Sequence, residues 1–192
     1  MKKIVLLVLT LSTLLLAEAI DRTGPYVALG GGYATFYDDG RLVKPIDSSY
    51  NANLIGGVFI NKYLSVELSF DYYDTFKNSV GDTTDLYMLE AVTKAHYPVW
   101  RERIDFYAAF GAGGMWWKEN LNSISQEDNA GILSGDLGVG LRALEWLTLN
   151  LGYRRYFFTL DHQNPTTTAE EVSVTRYYME LGSAYANIEV QF

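Results

Sequence analysis

Cysteine is absent from the 192-residue sequence. That excludes disulfide frameworks, thiol catalysis and cysteine metal sites, and it lets the chain pass an oxidising compartment without mispairing. Histidine is nearly absent as well, with His96 and His162 the only two. Basic residues are outnumbered, 15 against 23 acidic ones, for a net charge of −8. Such a chain repels a phosphate backbone and offers no basic stripe, so nucleic acid is not among its expected partners. Beyond the N-terminal leader, no apolar run approaches the roughly 20 residues of a helical membrane span.

What is present begins with MKKIVLLVLTLSTLLLAEA. Two lysines precede an apolar run from Ile4 to Leu16, and Ala17-Glu18-Ala19 supplies a small-x-small cleavage site, the build of a secretory signal peptide. The expected organisation is therefore a signal peptide over 1–19 and one domain over 20–192. Cleavage removes Lys2, Lys3 and Glu18, so the mature chain carries −9.

The rest reads as strand almost without pause. In YLSVELSFDYY, Leu64, Val66, Leu68, Phe70 and Tyr72 share one face while Ser65, Glu67, Ser69, Asp71 and Tyr73 share the other. WLTLNLGYRRY repeats this with Leu147, Leu149, Leu151 and Tyr153 against Thr148, Asn150, Gly152 and Arg154. Each follows a Gly-rich strand, LIGGVFI or DLGVGLRA, so one hairpin pattern occurs twice. The alternation predicts eight strands, near 25–36, 50–60, 63–73, 85–99, 104–117, 131–143, 146–159 and 175–192. Most have the nine or more residues that a tilted strand needs to cross a hydrocarbon core. The connections alternate: 61–62, 101–103 and 144–145 are brief, while 37–49, 74–84, 118–130 and 160–174 are long and polar.

A water-soluble barrel of eight strands would have to enclose all these leucines and phenylalanines, and its interior is too small. Turning the apolar face outward to lipid and the polar face inward resolves this; a soluble β-sandwich is the alternative that alternation by itself leaves open. Aromatic residues favour the membrane. Tyr26, Tyr63, Tyr97, Trp100, Phe106 and Trp146 fall beside the short turns, and Tyr37, Tyr50, Tyr72, Phe76, Trp116, Trp117, Phe157 and Tyr177 near the long loops. Two belts around an aliphatic zone match the two headgroup interfaces of a bilayer.

The chain ends on AYANIEVQF, in which Phe192, Val190, Ile188, Ala186 and Ala184 form one apolar series. With the leader, the GPYVALGGGYATF opening strand and the two repeated hairpin strands, this ending resembles the small eight-stranded outer-membrane barrels. That group includes the transmembrane domain of outer-membrane protein A, the OmpX-like proteins and the opacity-type surface antigens. The resemblance spans the whole mature chain. It implies an all-β fold, a transmembrane eight-stranded antiparallel up-and-down barrel, in the outer membrane of a Gram-negative bacterium. It also implies insertion as a monomer, with short turns periplasmic and four long loops facing outward. Phe192, Val190 and Ile188 would serve as the signal for the outer-membrane assembly machinery. Outer-membrane lipid and lipopolysaccharide would be the surroundings, and a host or matrix ligand would meet the loops. A peptidoglycan-binding domain after Phe192 is not expected.

Charges on the inward face need partners. Glu67, Asp71, Glu90, Lys94, Asp136, Arg142 and Arg154 are the predicted lumen network, with Asp136 pairing Arg154 and Glu67 pairing Lys94. Such pairs serve either as a gate or as a static network. Arg155 points by parity to lipid near the outer headgroups, where it is a candidate contact for lipopolysaccharide phosphates; a bulge at Arg154-Arg155 is the alternative. His96 falls near the periplasmic end, and His162 lies beside Asp161 in a predicted outer loop. Neither matches the His-x-Ser pattern of lipid A deacylases, so no enzyme and no cofactor is expected. Glu127, Asp128 and Asn129 cluster without the spacing of a calcium loop, so no metal is expected either. Two functions remain: surface interaction and membrane support through the loops, or a narrow passive pore.

Overall fold

The computed structural model describes residues 22–37, 48–77, 83–121, 124–164 and 173–192. Eight strands, β1 (Gly24–Tyr37), β2 (Ser49–Asn61), β3 (Leu64–Lys77), β4 (Thr83–Val99), β5 (Ile104–Leu121), β6 (Ile124–Leu144), β7 (Leu147–Asn164) and β8 (Ser173–Gln191), follow one another around a closed barrel. All neighbours are antiparallel, and β1 pairs with β8 from Tyr26↔Gln191 to Tyr37↔Glu180. Closure removes free edges along the paired length. At the short-turn end the last residues are tied in, the Phe192 N–H donating to the Pro25 carbonyl at 3.0 Å and the Gln191 N–H to the Trp146 carbonyl at 2.9 Å.

Burial alternates with a period of two, and the sense is that of a membrane barrel. Leu29, Leu137 and Leu151 are exposed on the outer wall, Leu137 by 67%, while Glu67, Asp71, Glu90 and Asp136 are buried inside, Glu90 to within 1%. Three interior tyrosines lie directly across from glycines in register, Tyr26↔Gly57, Tyr107↔Gly138 and Tyr185↔Gly152. A Cβ at any of these glycines would collide with the facing ring. These glycines are where wide rings fit a narrow lumen.

The predicted strands all occur, and the differences lie at the long-loop end. There β5, β6 and β7 extend to Leu121, Ile124 and Asn164, so much of the predicted loops 118–130 and 160–174 is strand. Two residues of the predicted aromatic belts are interior. Tyr26 follows the inward parity of Ala28, and a register shift between Tyr73 and Phe76 turns Phe76 inward. Trp117, next in alternation after Met115, is half-buried against the interior cluster. Tyr63, Tyr97, Trp100, Phe106, Trp146, Tyr37, Tyr50 and Trp116 do stand exposed on the outer wall, with Tyr72 and Phe157 half-buried. The leader, with its Ala17–Ala19 site, lies outside the described residues, as do the side chains of Asp161, His162 and Tyr177.

Candidate functional site

Strand β4 reads the lumen from bottom to top. Its inward residues run His96, Lys94, Val92, Glu90, Met88 and Leu86 from the short-turn end upward, from a polar lower lumen to an apolar upper one.

The lowest layer surrounds His96. Its Nδ1 lies 2.6 Å from Asp105 Oδ2 and its Nε2 2.9 Å from the Ser65 hydroxyl. Arg22, just before β1, reaches into the same layer, donating to Asp105 and, at 3.2 Å, to Glu189, with its guanidinium 4.2 Å over the Phe59 ring. Asn150 donates to Asn187 at 2.9 Å and to Glu189 at 3.1 Å. A hydroxyl, an imidazole and a carboxylate in this order have the connectivity of an acyl-transfer triad. Here, however, Ser65 is wholly buried, its hydroxyl also meets the Tyr26 hydroxyl at 3.3 Å, and Asp105 is shared with Arg22. A nucleophile with no approach for an acyl carbon acts as a link in a polar chain.

One step up, Lys94 donates to Glu67 at 2.5 Å, Tyr26 donates to the same Glu67 oxygen, and the ammonium sits 4.6 Å from the Tyr107 ring centroid. Arg142 stands at the short-turn end of β6, where it donates to Gln191 at 2.8 Å.

The middle layer is built on Arg154. Asp136 faces it in register, with Asp136 Oδ2 3.1 Å from Nη2 and 3.2 Å from Nε. Nη1 donates to Glu90 at 2.6 Å and lies 3.5 Å from Asp71. Ser69, Ser134 and Tyr185 donate to Asp71, Glu90 and Asp136 at 2.9, 2.6 and 2.6 Å. One guanidinium therefore holds three carboxylates from three strands, a cross-brace spanning the lumen. In a partly dry interior such an arrangement is stable only with nearly complete hydrogen bonding.

Above Arg154 the lumen becomes apolar. Ala34, Tyr73, Phe76, Leu86, Met88, Met115, Ile132, Tyr156, Phe158, Met179 and Leu181 form one buried cluster. Sequence reasoning placed the charged residues on the inward face but did not select Arg22, His96, Asp105 or Glu189 for the network. The parity of Asp105 and Glu189 carried that signal; Arg22, preceding the first strand, has no periodicity to reveal it. The apolar cluster breaks the rule of a polar inner face and was not foreseen.

On the outer wall, the pairing of β6 with β7 runs unbroken through Gly135↔Arg155, so no bulge displaces Arg155. It points outward, pairs with Glu180 of β8 and lies 5.2 Å from the Tyr37 ring centroid. Glu127, on β6, accepts from Lys118 at 2.9 Å, and the Asp128 carboxylate accepts its neighbour Asn129 N–H at 2.7 Å.

Comparison with curated proteins finds no match. Among solved structures, the chain is similar to Neisserial surface protein A, with a TM-score of 0.67 at 17% identity over 88% of this chain and 97% of that one. It is similar to Ail, the attachment invasion locus protein of Yersinia pestis, with a TM-score of 0.58 at 14% identity over 89% and 99%. The outer membrane protein OprG of Pseudomonas aeruginosa gives 0.58 at 10% over 92% and 99%. At these identities the likeness is one of fold. The family model described as the outer membrane protein beta-barrel domain matches residues 4–178, so the chain belongs to that family of Gram-negative outer-membrane barrels.

Proposed function

We propose that this chain acts through its extracellular end, in surface contact and support of the outer membrane, and not by passing solutes along its axis. The observation that carries this reading is the filling of the lumen at successive heights by the Arg22, Arg154 and Met88 layers. An eight-stranded barrel has little interior to spare, and these layers occupy it. Short turns then lie in the periplasm and the long connections outside, as in other outer-membrane barrels. The same proposal gives Ile188, Val190 and Phe192 the role of assembly signal on the closing strand. It also keeps Arg155, half-exposed beside Glu180, as a contact for lipopolysaccharide phosphates at the outer interface.

Single-channel recording on refolded protein in planar bilayers tests the reading. No steady conductance is expected. Steady conductance would instead support the narrow pore, and conductance gained only in Arg154→Ala would make the middle layer a gate.

A further inference from the structure

One stretch of the aromatic belt near the long loops carries a recess with a polar rim. Tyr72, Tyr87 and Trp116 stand in register as one outward row across β3, β4 and β5, and Asn129 of β6 continues it. The Tyr72 and Tyr87 ring centroids lie 5.2 Å apart. The next outward row up is charged. Asp85, Lys118 and Glu127 follow one another in register, Lys118 donating to Glu127 at 2.9 Å and Asp85 accepting from Thr75 at 2.7 Å. A recess of about 350 Å³ opens here, lined by Tyr87, Trp116, Lys118, Glu127, Asp128 and Asn129. Clefts for small ligands run from about 300 to 1,000 Å³ and pair an apolar floor with a few polar groups.

Trp116 is set as a platform. Two residues before it on β5 is Gly114, and a Cβ there would come within 3.7 Å of the far edge of the indole, so the ring lies down along the strand over a position that has no side chain. Trp116 is 48% exposed and Tyr87 beside it 40%. The face of an aromatic ring is the negative part of its quadrupole. It attracts a cation, or the slightly positive C–H bonds on the apolar face of a pyranose.

The rim chooses between these. Glu127 and Asp128 outnumber Lys118 in the lining, with Asp85 alongside, so a sulfated or phosphorylated sugar is repelled. A ligand cation would share the recess with the Lys118 ammonium, which already holds Glu127. An uncharged sugar meets neither obstacle. Its hydroxyls donate and accept, and the rim offers both kinds of partner: the Lys118 ammonium and the Asn129 amide as donors, the Glu127 and Asp128 carboxylates as acceptors. All four side chains are exposed.

We propose that the Trp116 ledge binds an uncharged hexopyranose, stacked on the indole and held at its edges by Lys118, Glu127 and Asn129. This rests on the surface-contact reading above and names a ligand class for it. Two sources carry such sugars, the lipopolysaccharide core of the same membrane and the glycans of a facing surface.

The test uses the refolded full barrel in phosphatidylcholine nanodiscs, with maltotriose, lactose and mannobiose as probes. Saturation-transfer NMR is expected to mark the ring C–H protons of at least one of them. Trp116→Ala should weaken that binding about tenfold, as loss of a stacking contact does. Trp116→Tyr should restore most of it, and Trp146→Ala, in the opposite belt, should leave it unchanged. Asn129→Ala, which keeps every ring of the belt, should weaken it about threefold or more, as loss of a hydrogen bond does. Each variant is first required to remain heat-modifiable. The proposal is overturned if none of the three sugars shows transfer, if Trp116→Ala or Asn129→Ala binds as the parent does, or if glucose 6-sulfate or choline binds more tightly than all three. Lipopolysaccharide in the nanodisc separates the sources. Probe binding lost with a complete core but kept with lipid A alone makes the sugar the membrane's own, and binding kept with both makes it that of a facing surface. Binding lost with lipid A alone overturns the proposal, because lipid then covers the ledge. Conductance on the same preparation keeps the two readings apart: a conducting barrel that binds sugar at Trp116 sinks only the surface-contact reading, and a closed barrel that binds none sinks only this one.

Discussion

The lower and upper halves of the lumen are built from the same strands by opposite rules. Below and at Arg154, charge meets charge: Arg22 with Asp105 and Glu189, Lys94 with Glu67, Arg154 with Glu90, Asp136 and Asp71. Above it, Met88, Met115, Met179, Phe76 and Phe158 pack as they would inside a soluble protein. The lower half is enclosed by a wall whose exterior is already in lipid, so its polar interior is set by internal pairing. The upper half is apolar inside although Tyr87, Leu89 and Trp116 on its outer wall are exposed, so its interior is held by packing of apolar side chains in place of charge pairs. The two halves should therefore answer mutation in different ways.

The largest effect is expected from Arg154→Ala, which leaves three buried carboxylates with no guanidinium. Removing one partner of a buried charged set costs about 3–5 kcal/mol. Urea unfolding in lipid vesicles measures this, and a loss below that range would mean that water already reaches the layer. Met88→Ala in the upper cluster is expected to cost about 2–5 kcal/mol, as a cavity in a packed core does. An unchanged urea midpoint there would show that the upper half is loosely filled and erase the contrast. Arg22→Ala should cost about 1.5–3 kcal/mol, the worth of hydrogen bonds to charged groups. Because the lesion is local to the short-turn end, hydrogen exchange there should rise while exchange around Met88 stays as in the parent. The smallest effect belongs to Lys62, which pairs with Glu102 between two short turns, outside both halves. The hydrogen bond that the Lys62 ammonium donates to Glu102, and then the Glu102 charge, holds that ammonium above the ordinary lysine range. A raised lysine contributes while protonated and loses that contribution only as pH climbs through its folded value, in strongly alkaline solution. Exposed pairs contribute little even when intact, so Lys62→Ala should leave the urea midpoint at neutral pH where it was.

The strands and the direction of their faces were legible because period-two alternation is strong wherever lipid lies on one side and charge on the other. LSVELSF and LTLNLGY state it outright. The Asp136 and Arg154 juxtaposition follows from counting residues away from a short turn. Arg22 had no such count, since it sits before the first strand. The upper cluster was hidden for a different reason: in TTDLYMLEA the inward Leu86 and Met88 and the outward Tyr87 and Leu89 are all apolar, so alternation fades where the rule changes. In SISQEDNAG both faces are polar, and the β6 extension reads as loop although its backbone pairs with β5 residue for residue. Phe76 escaped because a register shift is a property of the backbone, with no mark in the side-chain pattern.

The reversal along β4 also works as a depth gauge. A strand tilted by about 40° climbs roughly 2.5 Å per residue, so Tyr87, near the crossover, stands about 30 Å above Val99, just past the top of a hydrocarbon slab about 25 Å tall. Beyond that ring the outward Asp85 and the inward Leu86 reverse the order of Leu89 and Glu90, so the wall there suits water outside and hydrocarbon within.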